Sequence, residues 1–283
     1  MFVPDASEPL LRILAHSSRL IGLLAVGVVI ALARAGVVFG PRYSRLQSKG
    51  IELQLSGKLP EAEKCFRDAL AMGKKLPESD RVRLLVSLGD VLIDEERYEE
   101  ARQCIEQALQ IGDYSGSAQG SLSDILLALK ASPDKAIEMA EEAMQRMSSA
   151  YDQFPFGARW IALCKQLYEA KTWARKAQAL FLLDRQEEAG QAIDRALSIV
   201  DASKSEQQLA KPEISQEGKA ILGVRLLRMR ELAIADVYWG LGLSLLAMGD
   251  KARAIEQFRI VRDTDQHMGK FRMFADKKLS SLC

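Results

Sequence analysis

A small residue recurs along this chain with the same companions behind it. Gly50 is followed twelve residues later by Ala62, then by Phe66 and Ala69. Gly89 is followed at the same intervals by Ala101, Ile105 and Ala108, and Gly242 by Ala254, Phe258 and Val261. The last three residues of each set stand at i, i+4 and i+7, which places them on one face of a helix. The glycine upstream then belongs to a separate, earlier helix. A signature that repeats at fixed spacing restricts a chain to stacked helix pairs in which each unit buries its apolar face on its neighbours.

Composition favours the same architecture. Asn is absent and Thr occurs only at 172 and 264, while Ala, Leu, Glu, Gln, Lys and Arg dominate, a helix-forming vocabulary. Apolar residues make up 48% of 283, enough for a long array or two domains. Basic and acidic residues number 39 and 38, so no basic excess points to nucleic acid. Cys65, Cys104, Cys164 and Cys283 form no CxxC pair; Cys65 and Cys104 hold the same slot in successive units and read as small helix residues.

The spaced Gly–Ala–Phe–Ala signature resembles the tetratricopeptide repeat, a helix–turn–helix unit that stacks into a solenoid. The resemblance implies an all-α, right-handed superhelical solenoid, here preceded by a single hydrophobic helix. Gly50 and Gly89 are 39 residues apart, five more than the family's unit, and the family's closing proline is missing. Turns are expected at Ser56–Pro60, Glu95–Tyr98 and Gly249–Asp250. A third unit is read from Ala136, Ala140 and Ala143 behind Ser132-Pro133-Asp134, although Asp124 stands where the family places a small residue. Long helical stretches over 158–183 and 214–248 supply the first helices of a fourth and a fifth unit. The organisation is therefore a polar lead at 1–19, a membrane helix at 20–40, about three repeats over 42–150, about two with extended helices over 151–265, and a capping helix over 266–283. In that last helix Lys270, Arg272, Lys277 and Lys278 read as a solvated face.

Leu20–Phe39 is interrupted only by Arg34 and has roughly the 20 residues that span a bilayer as a helix. Gly40-Pro41 then breaks it. Basic residues are in excess after the segment, at Arg42, Arg45, Lys49 and Lys58, against Arg12 and Arg19 before it. The positive-inside rule thus turns the repeats to the cytoplasm. Small-x-small triplets at Ala31–Ala33 and Ala33–Ala35 leave open a cleaved leader and a periplasmic or secreted protein acting in envelope assembly or secretion.

No catalytic motif is present. Gly240-Leu241-Gly242 lacks the third glycine of a dinucleotide fingerprint and reads as close helix packing, and His16 and His267 offer no zinc spacing. The expectation is a scaffold with no catalysis, cofactor, metal or nucleic acid, binding a protein or peptide and reaching the bilayer through residues 20–40. The resemblance implies that the first helices line a concave groove. Carried onto this chain, its positions are Gln47, Ile51, Gln54, Arg83, Val86, Asp90, Ile93, Lys171, Gln178 and Trp239. The family's carboxylate-clamp positions fall on Gln47, Ile51, Ser87, Ala118 and Leu122, of which only Gln47 is a charged or amide donor, so an acidic tail would lose its charge-assisted hydrogen bonds.

Overall fold

The computed structural model describes residues 42–73, 76–112, 115–151, 158–204, 219–265 and 269–282. The expected polar lead and membrane helix lie outside the described residues, as does most of a polar connecting loop that the sequence suggests over 201–213, of which 201 and 202 instead end a helix. Within them eleven helices and no strand are found. They are α1 (Arg42–Leu55), α2 (Leu59–Leu70), α3 (Glu78–Asp94), α4 (Tyr98–Ile111), α5 (Ser117–Ala128), α6 (Pro133–Tyr151), α7 (Ala158–Leu182), α8 (Gln186–Ala202), α9 (Lys219–Ala247), α10 (Lys251–Thr264) and α11 (Lys270–Leu282). Among the described residues no helix is long and apolar enough to cross a membrane.

Five turns of identical design join α1 to α2, α3 to α4, α5 to α6, α7 to α8 and α9 to α10. Each has a left-handed residue at the same place, Gly57, Glu96, Lys130, Asp184 and Gly249, with φ of 75°, 61°, 53°, 60° and 84°, and the third turn adds a second at Ser132, with φ of 46°. The amide of the shared left-handed residue bonds the carbonyl three residues back, at 2.9–3.1 Å. The next amide bonds the carbonyl five back, at 2.8–3.0 Å, always to a leucine: Leu53, Leu92, Leu126, Leu180 and Leu245. This pairing ties off the last carbonyls of the first helix and turns the chain sharply into the second. Glycine at 57 and 249 adopts the left-handed backbone without a Cβ penalty. Glu96, Lys130 and Asp184 adopt it at a cost, which is why these turns carry no glycine signal in the sequence.

The glycine signature has a direct steric basis. A Cβ on Gly50 would stand 2.7 Å from the Phe66 ring, one on Gly89 2.6 Å from Ile105, and one on Gly242 2.5 Å from Phe258. Each large side chain of a second helix occupies the space that a side chain on the first helix would fill. Phe66, Ile105 and Phe258 are fully buried. In the third unit the sizes are exchanged, with Asp124 in the first-helix slot and buried Ala140 in the second.

Each helix packs on the one before it in sequence except α9, whose main neighbours are α7 and α10. Two apolar clusters result. One runs from α2 to α6, the other from α7 to α11, and α7 joins them by placing Ala179 in the first and Ala177 in the second. Buried hydroxyls close polar gaps between helices: Ser123 Oγ donates to the Ala136 carbonyl at 2.8 Å, and Ser244 Oγ to that of Ala174 at 2.9 Å.

The terminal helix exposes Arg272 and Lys277 but buries Lys270. The buried Asp265 carboxylate accepts from the Gly269 and Arg272 amides, both at 3.1 Å, and so caps the start of α11. That cap aims Lys270 across the array to Asp94 of α3, at 2.6 Å. Met273 reaches the Gly57 turn, where a Cβ would meet its terminal methyl at 2.9 Å. Lys270 is therefore a buried structural clasp, whereas Arg272 and Lys277 are exposed. The sequence pattern treats these residues alike because it carries no information on where a solenoid's two ends meet.

Candidate functional site: a polar cleft between the first helices

Closure by α11 converts the inner face of the array into a cleft of about 540 Å³. Its wall draws mainly on α1, α3, α5, α7 and α9, the first helices of all five pairs, with Tyr98 of α4, Met147 of α6 and the start of α11. Of the sequence-derived groove positions, Gln54, Asp90, Ile93, Lys171, Gln178 and Trp239 line it. Gln47, Ile51, Arg83 and Val86 do not. Val86 is buried in the apolar cluster of the first units. Arg83 is exposed, pairs with Asp80 one turn earlier and lies outside the cleft that Asp90 lines. Ile51 is an exposed apolar residue outside the cleft. Helical spacing puts these residues on one stripe, but α3 reaches the cleft only near its carboxyl end, at Asp90, Ile93 and Asp94.

Gly240 and Gly242, a single motif in the sequence, separate here. Gly242 packs on Phe258, whereas a Cβ on Gly240 would meet only Lys171 Cγ, at 3.9 Å, and Gly240 is part of the cleft wall.

The cleft holds four carboxylates and three cations. Arg175 Nε and Nη2 donate to the two oxygens of Asp124, both at 2.7 Å. Lys171 Nζ meets Asp236 at 2.6 Å, and Lys270 meets Asp94, which also accepts from Gln54 Nε2 at 2.9 Å. Burial opposes ionisation of Asp124, but Arg175 and Lys171 outweigh it and hold the carboxyl below its usual range. Burial likewise opposes the charge on Lys171, and Asp236 more than restores it.

Asp90 is left over. Among the described residues its one hydrogen-bond donor is Ser121 Oγ, at 2.7 Å. Burial, with the Asp94 charge adding to it, pushes the Asp90 carboxyl up to about 6, although Ser121, Lys270 and Lys171 pull the other way. Because its folded value lies above its unfolded one, the ionised group opposes folding at neutral pH. Stability from this residue rises as pH falls from 7 toward 5. Asp90→Asn, which retains an acceptor for Ser121, is expected to stabilise the protein at pH 7.5 by about 1–2 kcal/mol, a figure reduced because the side chain is partly open to solvent. Urea unfolding of both proteins at pH 7.5 and pH 5 checks this. The gap should shrink at the lower pH, and an Asn variant less stable than the parent at pH 7.5 contradicts it.

Ser121, Asp124, Tyr168, Arg175, Asp236 and Lys270 were not legible as cleft residues. Asp124 had one visible sign, a charge in a packing slot. Its partner lies 51 residues away, beyond any helical periodicity.

Residues 46–113, spanning most of α1 through α4, match the tetratricopeptide repeat family. Over its first two helix pairs the chain is similar to that family, and the same paired-helix turn recurs in three more pairs. Solved structures that align with it include a thermophilic TPR protein of Thermus thermophilus, at 13% identity over 84% of this chain and 99% of that one, TM-score 0.45. Another is YrrB, described as a TPR protein with an unusual peptide-binding site, at 17% identity over 82% and 90%, TM-score 0.34. A tetratricopeptide repeat protein of Parabacteroides merdae aligns at 16% identity over 86% and 99%, TM-score 0.34. No curated protein matches the chain.

Proposed function

We propose that this chain is a membrane-anchored scaffold that holds a segment of a partner protein in the cleft and carries out no catalysis of its own. The observation that supports it best is the cleft itself, built from the first helices of all five pairs and lined by unlike polar and apolar groups. Such a surface gives an extended segment both hydrogen bonds and apolar contact. In this reading residues 20–40 are the anchor and the repeats face the cytoplasm. An anchor that ends at Gly40-Pro41 holds α1 near the headgroups, where a membrane-bound partner meets it.

Gly240→Phe tests the reading. A Cβ at this position meets only the Lys171 stem, at 3.9 Å, so a ring there should enter the cleft and obstruct it while the fold persists. Crosslinked capture of partners from membranes should fall at least tenfold with thermal unfolding unchanged. Undiminished capture by the folded variant places binding elsewhere. Carbonate-washed membranes should retain the full-length chain; an amino terminus near Arg34 or Gly36 would instead support the cleaved leader.

A further inference from the structure

Among the described residues every cation in the cleft has a carboxylate of its own, and one carboxylate has no cation. The pairs Arg175–Asp124, Lys171–Asp236 and Lys270–Asp94 use up three of the four acidic groups. Asp90 remains, with only the neutral Ser121 hydroxyl on one oxygen. One turn further along α3, Asp94 shows what such a carboxylate accepts in this cleft. The Lys270 ammonium sits on it, 4.9 Å and 5.8 Å above the rings of Phe271 and Phe274. A lysine head group is thus already accommodated beside Asp90, between a carboxylate and aromatic faces.

A second and independent open group lies across the α5 backbone. The Arg175 side chain is 6% exposed and commits Nε and Nη2 to Asp124, yet its buried Nη1 has no hydrogen-bond partner. Nη1 itself is closed to solvent and the Tyr168 hydroxyl packs beside the guanidinium, so an incoming acceptor reaches this donor by displacing that hydroxyl. Gly120 permits the arrangement. A Cβ there would stand 2.7 Å from Tyr168 Oη and 3.4–3.5 Å from the two terminal Arg175 nitrogens. Ser121, the next residue, holds Asp90. The open donor and the open carboxylate therefore flank one step of α5, Gly120–Ser121.

We propose that the cleft reads a basic side chain in an extended peptide, seating a lysine or arginine on Asp90 while a backbone carbonyl accepts from Arg175 Nη1. This rests on the cleft being the partner-binding surface. An anionic ligand fits poorly, because it would add charge to a site that already carries one uncompensated carboxylate. A peptide supplies both complements at once: a neutral carbonyl for the guanidinium and a cation for the aspartate. The groups facing Asp90 are Asp94 on its own helix, Ser121 on α5, Lys171 on α7 and Lys270 on α11. With the three cations engaged elsewhere, the incoming cation is the group that neutralises Asp90.

The test uses the full chain in detergent and three pools of fluorescein-labelled heptapeptides, blocked at both ends. The pools are random except for a fixed central lysine, norleucine or glutamate. The lysine pool should bind at least tenfold more tightly than the norleucine pool at pH 7.5, and the glutamate pool least. Asp90→Asn should erase the lysine preference, so that the lysine and norleucine pools bind the variant alike. The preference should also fade between pH 7.5 and pH 5, as Asp90 takes up a proton. Equal binding of lysine and norleucine pools overturns the proposal, as does a lysine preference that survives Asp90→Asn. In either case, loss of all pools in Gly240→Phe leaves the cleft as the binding surface. Binding of every pool unaffected by Gly240→Phe overturns the cleft itself.

Discussion

Phe258→Ala is expected to lower the unfolding free energy by about 3–5 kcal/mol, the usual cost of truncating a buried phenylalanine. The ring is wholly inaccessible to solvent and faces Gly242 on α9, which has no side chain to fill the void. It also backs Trp239, whose ring lies 5.1 Å away on the cleft wall, and Trp239 in turn meets Phe274 of α11 at 5.8 Å. Loss of the ring therefore loosens the clasp helix as well as the fifth pair. Urea unfolding followed by circular dichroism measures the total. Hydrogen exchange should locate the loss in α9, α10 and α11, because repeat arrays open by units rather than all at once. The complementary change, Gly242→Leu, overpacks the same contact, since any Cβ there stands 2.5–2.9 Å from ring atoms. Alone it should cost roughly 1–3 kcal/mol. Combined with Phe258→Ala it should restore part of the loss, giving a coupling of opposite sign to the single effects. A Phe258→Ala protein within about 1 kcal/mol of the parent would contradict the packing described here.

Arg175→Met is expected to cost about 2–3 kcal/mol at pH 7. Removing one partner of a buried ion pair commonly costs about 3–5 kcal/mol, because the survivor is left charged and unpaired. The smaller figure applies because the Asp124 side chain is 34% exposed and water in the cleft can solvate it. The pair ties α5 to α7, where the two apolar clusters meet, so its loss should weaken the joint between the third and fourth pairs. The pH dependence fixes the cause. The Asp124 carboxyl is held below its ordinary range, so its contribution is complete above that range and is lost as pH falls through the depressed value. The difference between parent and variant should therefore narrow in acid. Asp124→Leu with Arg175→Met should recover most of the stability, since apolar replacement of a whole buried pair is often neutral or better. A double variant no more stable than Arg175→Met would show that the arginine acts through packing alone.

The turns and the glycine contacts separate what the sequence by itself determined from what it did not. Gly50, Gly89 and Gly242 were readable because their partners, Phe66, Ile105 and Phe258, lie sixteen residues away within one helix pair. Local spacing therefore determined the helix pairs in which these residues meet. The turns at Glu96, Lys130 and Asp184 use the same geometry without glycine, so there the hydrogen-bond pattern, not residue type, defines the unit.

The cleft was only half legible. Asp90, Ile93 and Gln54 fall on the stripe that helical periodicity picks out, but Val86 and Arg83 fall on it too and end in the core and at the surface. Periodicity fixes which residues share a face. It does not fix how far along a helix that face stays open, which depends on the helices beside it. Only the tertiary structure decided that α11 returns to α3, and with it the pairing of Lys270 with Asp94, of Arg175 with Asp124 and of Lys171 with Asp236. Those partners are at least 51 residues apart, joined by curvature accumulated over several units. Such curvature is a sum of small packing angles set by many side chains, so no short motif records it. Asp90 became the odd carboxylate of the cleft only once every other charge had found its partner.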